Sequence, residues 1–350
     1  MTKNQLEIVH INNYLIYKKI GVDAKLFERA LDRAADSEPL KSNAKREVYC
    51  VRTFADDRVY VKISHAANWF EKIKSCFRNK SKEEFDISCE LNKSGIKTVD
   101  FLGWGKRGFD SVLFSAELKS STTARCYCYS YYFKNQCFEE KFIDELIQLV
   151  RQFVESNFFH PDLHLGNLLW DSSASSLVVV DPYGIRKCAK FDYRRKVLMA
   201  SVFGALRLGA SSEKLAKMCV DSKLATSLDE GLSLIEDAFS MLDCNLEKNW
   251  QKREKQIFDG REKYNYKVYE TDGSVVFLRT ALSEKKILKY EELCNSSFLL
   301  ANIKTIDCSA DEGRRQWLES FKNEYLMKTG DYPVALRLSA DKAQLFFLKH

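Results

Sequence analysis

An ordered set of polar side chains surrounds a short apolar segment near the middle of this chain. The stretch His160-Pro-Asp-Leu-His-Leu-Gly-Asn167 comes first and places Asp162 and Asn167 five residues apart. The apolar run Leu177-Val-Val-Val180 follows, and Asp181-Pro-Tyr-Gly184 comes directly after it. A short apolar run that ends in turn-forming residues is typical of a buried strand. One such aspartate alone is usually an ordinary surface-loop residue, but the ordered set indicates a built site.

The spacing between Asp162 and Asn167 is that of H-x-D-x-x-x-x-N, the catalytic loop of kinases. Phosphoryl transfer needs a carboxylate that aligns the attacking hydroxyl and accepts its proton, together with oxygen ligands for Mg²⁺. Asp162 suits the first task, with His160 opening the motif, and Asn167 and Asp181 suit the second. We therefore predict catalytic roles for the histidine and the first aspartate, metal ligation by the other two residues, and ATP and Mg²⁺ as cofactors.

A lysine upstream of this loop is placed to hold the ATP phosphates. Lys62 ends the alternating run Arg58-Val-Tyr-Val-Lys62, which is typical of a strand. We expect this strand to form a hairpin with the strand-like run at 47–54, across a turn at 55–57. In kinases the phosphate-holding lysine lies on the third strand. We therefore predict that Lys62 is catalytic and also contacts the nucleotide.

A glutamate further along the chain is the predicted partner of that lysine. Glu84 opens a helical segment that stops at Ser94-Gly95. A carboxylate at the start of such a helix can pair with Lys62 and fix it against the ATP phosphates. We assign this catalytic role to Glu84, and its neighbour Glu83 is the competing candidate.

These motifs predict an α+β protein with a two-lobed, protein-kinase-like fold and a small C-terminal α+β appendage. A length of 350 residues suits one such domain with an appendage. We expect an N-terminal extension at 1–45, an N-lobe at 46–118, a C-lobe at 119–262 and the appendage at 263–350.

Two segments are predicted to frame the nucleotide site. The run at 110–118 resembles the strand that enters the hinge between the lobes, so backbone groups near Glu117 and Leu118 are expected to meet adenine. Apolar residues recur at helical spacing from 142 to 153, which predicts a core helix that feeds the catalytic loop.

The elements predicted outside the site are a strand-like patch at 8–17, a short helix around 26–31, a hairpin of 266–270 and 275–278, a helix at 312–327 and a hairpin of 332–338 and 344–348. We see no catalytic constellation in the last 90 or so residues. Acceptor binding or docking and a purely structural role are equal alternatives for that part of the chain.

The stretch from about 59 to 210 resembles the lipopolysaccharide core kinases, the Kdo/heptose kinase family of Gram-negative bacteria. Besides the motifs above, the matching pieces are Tyr60-Val-Lys62, Asn68-Trp-Phe-Glu-Lys-Ile73, Glu84-Phe85, Gly95-Ile-Lys-Thr98, a Gly103/Gly105 turn and Tyr193-Arg-Arg-Lys-Val-Leu198. They cover somewhat under half of the chain. The resemblance implies that ATP and Mg²⁺ are used to phosphorylate a heptose or Kdo hydroxyl of the inner core, on the cytoplasmic face of the inner membrane.

The sequence departs from the usual kinase pattern in three places. No glycine-rich loop precedes Lys62, and Lys41-Ser-Asn-Ala-Lys-Arg46 occupies that place, so backbone amides and Lys or Arg side chains would have to contact the phosphates. Pro161 stands where kinases that are switched by activation-loop phosphorylation carry an arginine, which argues against such a switch. The metal loop at 181–184 is one residue longer than Asp-Phe-Gly.

Composition indicates a soluble cytoplasmic enzyme. Hydrophobic residues make up 45% of the chain, enough for sizeable cores, and only four prolines argue against long disordered linkers. The eleven cysteines contain no C-x-x-C pair, so we expect reduced thiols and no zinc site. No signal peptide is visible, and the longest apolar run, at 197–206, is too short to span a bilayer. A net charge of +6 is modest, and we expect no nucleic-acid partner.

The segment at 68–82 supports two interpretations. On a helix, one face would carry the apolar residues Trp69, Phe70, Ile73 and Phe77. The basic residues gather elsewhere, and they are Lys72, Lys74, Arg78, Lys80 and Lys82. Such a stripe beside lysines is the pattern of a helix that lies on an anionic membrane, which would give the protein a peripheral contact with the inner membrane. We favour the other interpretation, a helix packed on the N-lobe with a solvated basic face.

Three functions stay open at this point. The first is an ATP-dependent sugar kinase that acts on the lipopolysaccharide core. The second is a kinase for a soluble small molecule, such as an aminoglycoside or a sugar. The third is a nucleotide-binding pseudokinase that acts as a scaffold; retention of all five motif residues argues against it, and the missing glycine-rich loop keeps it open.

Overall fold

A computed structural model describes residues 6–54, 57–207, 209–257, 266–271, 274–279, 303–325 and 332–348. It shows a mixed α+β protein, as predicted. The chain divides into two compact units, residues 1–239 and 240–350. Each unit contains its own antiparallel sheet.

The first unit contains a seven-stranded antiparallel sheet. Its strands are β1 (Leu6–Ile11), β2 (Tyr14–Lys19), β3 (Lys41–Asn43), β4 (Arg46–Phe54), β5 (Asp57–Ser64), β6 (Phe101–Arg107) and β7 (Asp110–Ala116). Their order across the sheet is β1-β2-β6-β7-β5-β4-β3. The predicted hairpin between β4 and β5 is confirmed, although residues 55 and 56 of its turn lie outside the described residues.

The strand-like patch predicted at 8–17 is two strands rather than one. Asn12 and Asn13 both have positive φ, at 49° and 64°, and they form the tight turn between β1 and β2. Two successive residues with positive φ give a turn whose twist matches that of an antiparallel hairpin, and asparagine tolerates this conformation well. This hairpin extends the sheet beyond β6, through the pairing of β2 with β6.

The predicted helix near 26–31 is confirmed as α1 (Ala24–Ala35), and it covers one face of the sheet. Asp23 caps it by accepting a hydrogen bond from the Lys25 backbone N–H. The buried side chains of α1 include Phe27, whose ring meets that of Phe114 edge to face at 4.8 Å. The opposite face of the sheet is therefore the one left to carry Lys62.

Two helices follow β5, and they are α2 (Trp69–Phe77) and α3 (Lys80–Lys93). The sequence places the segment at 68–82 on a helix and predicts a second helix that starts at Glu84. The predicted start of the second helix at Glu84 is wrong by four residues, because the Asn79 side chain accepts a hydrogen bond from the Lys82 N–H and caps the helix there. The predicted stop is confirmed, and Gly95 follows it with a φ of +83°.

The favoured interpretation of the aromatic stripe on α2 is wrong. Trp69 is 63% exposed, Phe70 is 76% exposed and Phe77 is 86% exposed, so these side chains do not pack on the sheet. None of the residues of α2 is buried.

The turn expected at Gly103 and Gly105 is also wrong, since both residues lie inside strand β6. Glycine is needed there for close packing rather than for a turn. A Cβ at Gly103 would lie 2.7 Å from the carbonyl oxygen of Tyr17 on the neighbouring strand, nearer than such atoms approach.

The remainder of the first unit is mainly helical. Its helices are α4 (Ala124–Asn135), α5 (Glu140–Glu155), α6 (Tyr193–Gly204), α7 (Ser212–Asp221) and α8 (Leu228–Ile257), the last of which continues into the second unit. The predicted core helix is confirmed as α5, with seven buried apolar side chains between Phe142 and Phe153.

Short strands support the loops between these helices. A three-stranded sheet contains β8 (Ser121–Thr123), β10 (Leu168–Asp171) and β11 (Ser176–Val179), and β9 (Phe158–Phe159) pairs with β12 (Arg186–Lys187). The strand predicted before Asp181 is therefore present as β11, and all four of its residues are buried.

The second unit contains a five-stranded antiparallel sheet and a helix. Its elements are β13 (Tyr266–Thr271), β14 (Ser274–Arg279), β15 (Ile303–Ser309), α9 (Ala310–Tyr325), β16 (Tyr332–Leu338) and β17 (Lys342–Leu348). Both predicted hairpins and the predicted helix are confirmed. The predicted apolar position Trp317 is fully buried. The side chains of Phe321 and Leu326 lie outside the described residues.

Two features are shared by the described residues of both units. Among the described helices, none is long and apolar enough to cross a bilayer. The ten cysteines in the described residues are all free thiols.

Candidate active site

The predicted ion pair between Lys62 and Glu84 is confirmed. The Lys62 ammonium lies 2.8 Å and 2.7 Å from the two carboxylate oxygens of Glu84. Lys62 lies on β5 and Glu84 in the second turn of α3, so the pair fixes the helix to the sheet. The competing candidate Glu83 instead binds Arg78 through two hydrogen bonds near the surface.

Glu84 is 3% exposed, and its burial raises the pKa of the carboxyl group. The Lys62 ammonium opposes this shift by favouring the ionised form, and Asp181 adds to it by repulsion. A carboxylate in such a position is tolerated only with a close cationic partner, because an unpaired buried charge is very unfavourable. The buried Glu84 carboxylate therefore holds the Lys62 ammonium beside it.

Asp181 joins the same cluster from a distant part of the sequence. Its Oδ1 atom accepts a hydrogen bond from Lys62 at 3.1 Å, and its Oδ2 atom lies 3.5 Å from the Arg46 guanidinium. The lysine thus lies between two carboxylates, one buried and one about one-third exposed. The aspartate is the member of the cluster that faces solvent.

Arg46 is the site residue that the sequence did not single out. It lies at the start of β4, where its partner on β5 is Ser64, and Val48 is opposite Lys62. Residues two apart on a strand share a face, and directly paired residues share it too. Arg46 and Lys62 therefore emerge from the same face of the sheet. The alternation around Arg46 could have shown this once the register of the hairpin was known.

Backbone contacts place Asp181 relative to α3. After the helix ends, the Val99 N–H donates to the carbonyl of Val179 at 3.1 Å, and the Val179 N–H donates to the carbonyl of Lys97 at 2.9 Å. Thr98 thus pairs with Val179 as a parallel bridge, two residues before Asp181. The Asn92 side chain binds the backbone N–H of Thr98 at 3.1 Å. The segment 95–98 therefore ties the helix of Glu84 to the strand that ends at Asp181.

The loop with Asp162 and Asn167 lies at the same end of the β10–β11 hairpin. The Val180 N–H donates to the carbonyl of Asn167 at 3.1 Å, so Asn167 lies beside the residue that precedes Asp181. The Asn167 amide nitrogen binds both the carbonyl oxygen and the carboxylate of Asp162, at 3.0 and 3.1 Å. The five-residue spacing seen in the sequence is closed by these bonds. The Asp162 side chain remains 74% exposed and open to a second molecule.

His160 lies under the loop rather than in the open site. It is fully buried, and its Nδ1 atom accepts a hydrogen bond from the Asp162 N–H at 3.2 Å. Its Nε2 atom is buried without a hydrogen-bond partner in the described part of the chain. Burial lowers the pKa of His160 to about 4, so the ring is neutral near pH 7. The neutral His160 ring accepts a hydrogen bond from the Asp162 backbone N–H, and this contact holds the loop of Asp162 in position.

The donor set fits a magnesium ion bound together with phosphates. Among the described residues, no group of three or more His, Cys, Asp or Glu side chains could hold a metal by itself. Mg²⁺ in phosphate-binding sites usually needs only one or two protein oxygens, because water and phosphates supply the others. The Asp181 carboxylate and the Asn167 amide oxygen, whose nitrogen is already engaged by Asp162, are suitable donors.

The predicted adenine-contacting residues directly follow β7. The Glu117 N–H already donates to the carbonyl of Arg58, and the Leu118 carbonyl already accepts from Ser121. No described residue bonds to the Glu117 carbonyl or the Leu118 N–H. One acceptor and one donor are therefore free there, which is the pair that an adenine edge requires.

The segment that replaces a glycine-rich loop is itself a hairpin. Strand β3 pairs with β4 across a turn at Ala44 and Lys45, and Asn43 accepts a hydrogen bond from the Lys45 N–H at 2.9 Å. The segment 41–46 therefore forms a β-hairpin that contains no glycine. Arg46, at the end of this hairpin turn, places its guanidinium beside Asp181, on the same face of the sheet as Lys62.

Comparison with known proteins adds no family. No protein-family model matches this sequence, and no curated protein is significantly similar to it. The function of the site must therefore be inferred from its residues and their geometry.

The buried ion pair yields a stability prediction. Lys62→Met leaves Glu84 without its partner, and we expect the free energy of unfolding to fall by about 3–5 kcal/mol. The double variant Lys62→Met/Glu84→Leu removes the stranded charge, so most of that loss should be regained. Urea denaturation of the three proteins measures both changes.

Lys82→Met is the matched control, because Lys82 pairs with Asp86 on the exposed side of the same helix. We expect this change to cost under about 1 kcal/mol. An effect of Lys62→Met as small as that of the control would contradict the assigned role of the ion pair.

His160 yields a prediction about pH. Its pKa is about 4 in the folded protein, against about 6.5 when unfolded. The unfolded chain therefore binds the proton first as pH falls below 6.5, and stability is lost between pH 6.5 and 4. This one residue should lower stability by about 2 kcal/mol between pH 7 and pH 5.

The measurement is the difference in free energy of unfolding between the wild-type protein and His160→Gln at both pH values. The advantage of the wild type should shrink at pH 5 by the amount given above. A difference that stays constant with pH would show that His160 is not kept neutral by burial.

Proposed function

We propose that this protein is an ATP-dependent kinase with a two-lobed, protein-kinase-like fold that phosphorylates a sugar hydroxyl. The observation that carries this proposal is the convergence of Lys62, Glu84 and Asp181 in one ion-pair cluster. They lie on a strand, on a helix and after a buried strand, respectively. A lysine paired with a helix glutamate, beside a metal-binding aspartate, is the arrangement that kinases need for phosphate transfer.

Each polar group of the site has a task in this proposal. Glu84 orients Lys62, so that its ammonium is available to phosphate oxygens. Asp181 and Asn167 would hold Mg²⁺, which neutralises negative charge on the phosphates when bound. Arg46 adds a second cation on the same face of the sheet. Together these groups supply the electrostatic stabilisation that phosphoryl transfer mainly requires.

Asp162 would orient the acceptor hydroxyl and accept its proton. Its carboxylate is held by the Asn167 amide at 3.1 Å and lies 3.7 Å from the Nε2 atom of His164, and the Asp162 side chain is 74% exposed. Buried His160 fixes the backbone of the same residue, so the carboxylate has a defined position without being enclosed. A catalytic carboxylate that is open to solvent can reach a bulky acceptor, whereas a small acceptor is usually bound in an enclosed pocket.

The acceptor we favour is a heptose or Kdo of the lipopolysaccharide inner core. This choice rests on the resemblance of the segment at 59–210 to the core kinases. The segment 95–98 contributes to that resemblance, and it ties α3 to the strand before Asp181. A soluble sugar or aminoglycoside acceptor and a pseudokinase scaffold are the outcomes that the experiments below would separate from it.

One prediction from the proposed function concerns the catalytic carboxylate. Asp162→Asn preserves the shape of the side chain and removes its charge and its ability to accept the proton. We expect kcat to fall by about 10²–10⁴-fold, with ATP binding retained because Asp162 faces the acceptor. A transfer assay with isolated core oligosaccharide, together with ATP binding by calorimetry, measures both properties.

The same variant serves as the control in the host. Deletion of the gene should remove phosphate from the isolated core oligosaccharide, as seen by mass, and only the wild-type gene should restore it. An unchanged core with transfer to soluble sugars would favour the small-molecule kinase. Binding of ATP without transfer to any acceptor would favour the scaffold.

Another prediction from the proposed function concerns the metal. Mg·ATP should raise the melting temperature of the wild-type protein, because a ligand that binds only the folded state stabilises it. Asp181→Ala removes the charged metal donor and should abolish the part of this shift that depends on Mg²⁺. Asp86→Ala, an exposed change on α3, should keep the full shift. A full shift in Asp181→Ala would overturn the metal role.

A further inference from the structure

Helix α2 exposes an apolar face that nothing in the described structure covers. Four large side chains point away from the protein, with Ile73 at 47% exposure joining the three aromatic residues described above. Phe109, at the turn between β6 and β7, is 50% exposed, and its ring lies 5.9 Å from the Lys72 ammonium. The uncovered face therefore consists of α2 and the tip of one sheet hairpin. We call it the aromatic face.

The charge around the aromatic face is positive. Residues 69–82 contain five basic residues and a single acidic residue, Glu71. Glu71 is already compensated, because Lys45 binds its carboxylate at 2.7 Å and lowers its pKa. Lys72 and Lys74 have no ion-pair partner among the described residues. Their charges are therefore available to an external negative surface.

We propose that the aromatic face docks on an anionic lipid bilayer. Helix α2 would lie along the headgroup region, with Trp69, Phe70 and Phe77 entering the boundary between headgroups and acyl chains. Tryptophan is especially favourable at that depth because its ring is amphipathic. Lys72 and Lys74 would remain at the level of the phosphates, where each basic residue near an anionic membrane adds to binding. The combination is that of an interfacial amphipathic helix.

A bilayer fits this surface better than a protein partner does. The four apolar side chains project from a helix that has no buried residue, so they form a ridge rather than a groove. A second copy of the chain would bring the same positive charges together, and their repulsion opposes self-association. A fluid anionic surface accepts a ridge of aromatic side chains and satisfies the lysines at the same time.

This inference does not rest on the proposed catalytic activity. None of the residues of the ATP site belongs to the aromatic face. Asp162→Asn should therefore bind vesicles as the wild type does, whatever its effect on phosphate transfer.

The test is sedimentation of the full-length protein with vesicles. Vesicles of phosphatidylcholine with phosphatidylglycerol should bind the protein, vesicles of pure phosphatidylcholine should bind it much less, and rising salt should release it through screening. Trp69→Ser/Phe77→Ser and Lys72→Glu/Lys74→Glu should each reduce binding by about tenfold or more. The melting temperature should stay unchanged in both, because these side chains are exposed.

Two control variants carry the same substitutions elsewhere. Ile20→Ser/Leu228→Ser removes two exposed apolar side chains, and Lys214→Glu/Lys217→Glu reverses two exposed charges on α7. Both should bind vesicles as the wild type does. The charge variant keeps the test decisive even if the Trp69/Phe77 variant folds poorly.

Three results would overturn the proposal. They are no sedimentation with anionic vesicles, binding that both control variants lose equally, and binding that needs the two lysines but not Trp69 and Phe77. The last result would instead describe a general anion-binding surface, such as one for an acidic protein.

Discussion

The buried carboxylate of Glu84 is the constraint on which the arrangement of the site depends. A charge at this depth requires Lys62, and Lys62 can reach it only if α3 lies at one position against β6 and β7. The bridge between Thr98 and Val179 then fixes the strand that precedes Asp181 relative to α3. One unfavourable burial therefore aligns a strand, a helix and the loop that begins at Asp181. Each of these elements is thus positioned by a contact with another.

Much of the site could be predicted from local patterns. Asp162 and Asn167 are close in sequence, so their spacing alone predicts that their side chains are in contact. Lys62 and Glu84 were found from the end of an alternating strand and from a helical segment, although the true helix start depends on Asn79. Arg46 was not singled out from the segment 41–46, because its position relative to Lys62 depends on strand register and on an aspartate 135 residues away. The neutral state of His160 was missed too, since burial is a property of the assembled core.

The fold shows the same division between local and long-range information. Elements with strong periodicity, such as α5 and the hairpins of the second unit, were correctly predicted. The glycines of β6 suggested a turn because their true purpose, close approach to β2, is invisible without the pairing. The aromatic stripe of α2 suggested packing because a core and a docking surface have the same composition. Only the exposure of each side chain separates the two.

The pairing of β2 with β6 also affects how the chain folds during synthesis. Leu15 lies opposite Lys106, about 90 residues later, so the first hairpin cannot join the sheet until that segment has been made. Translation at about 5–20 residues per second gives a delay of roughly 5 to 20 seconds. An isolated two-stranded hairpin is only marginally stable in water. During that interval the apolar side of β2, with Tyr14 and Ile16, is a surface that a nascent-chain chaperone could protect.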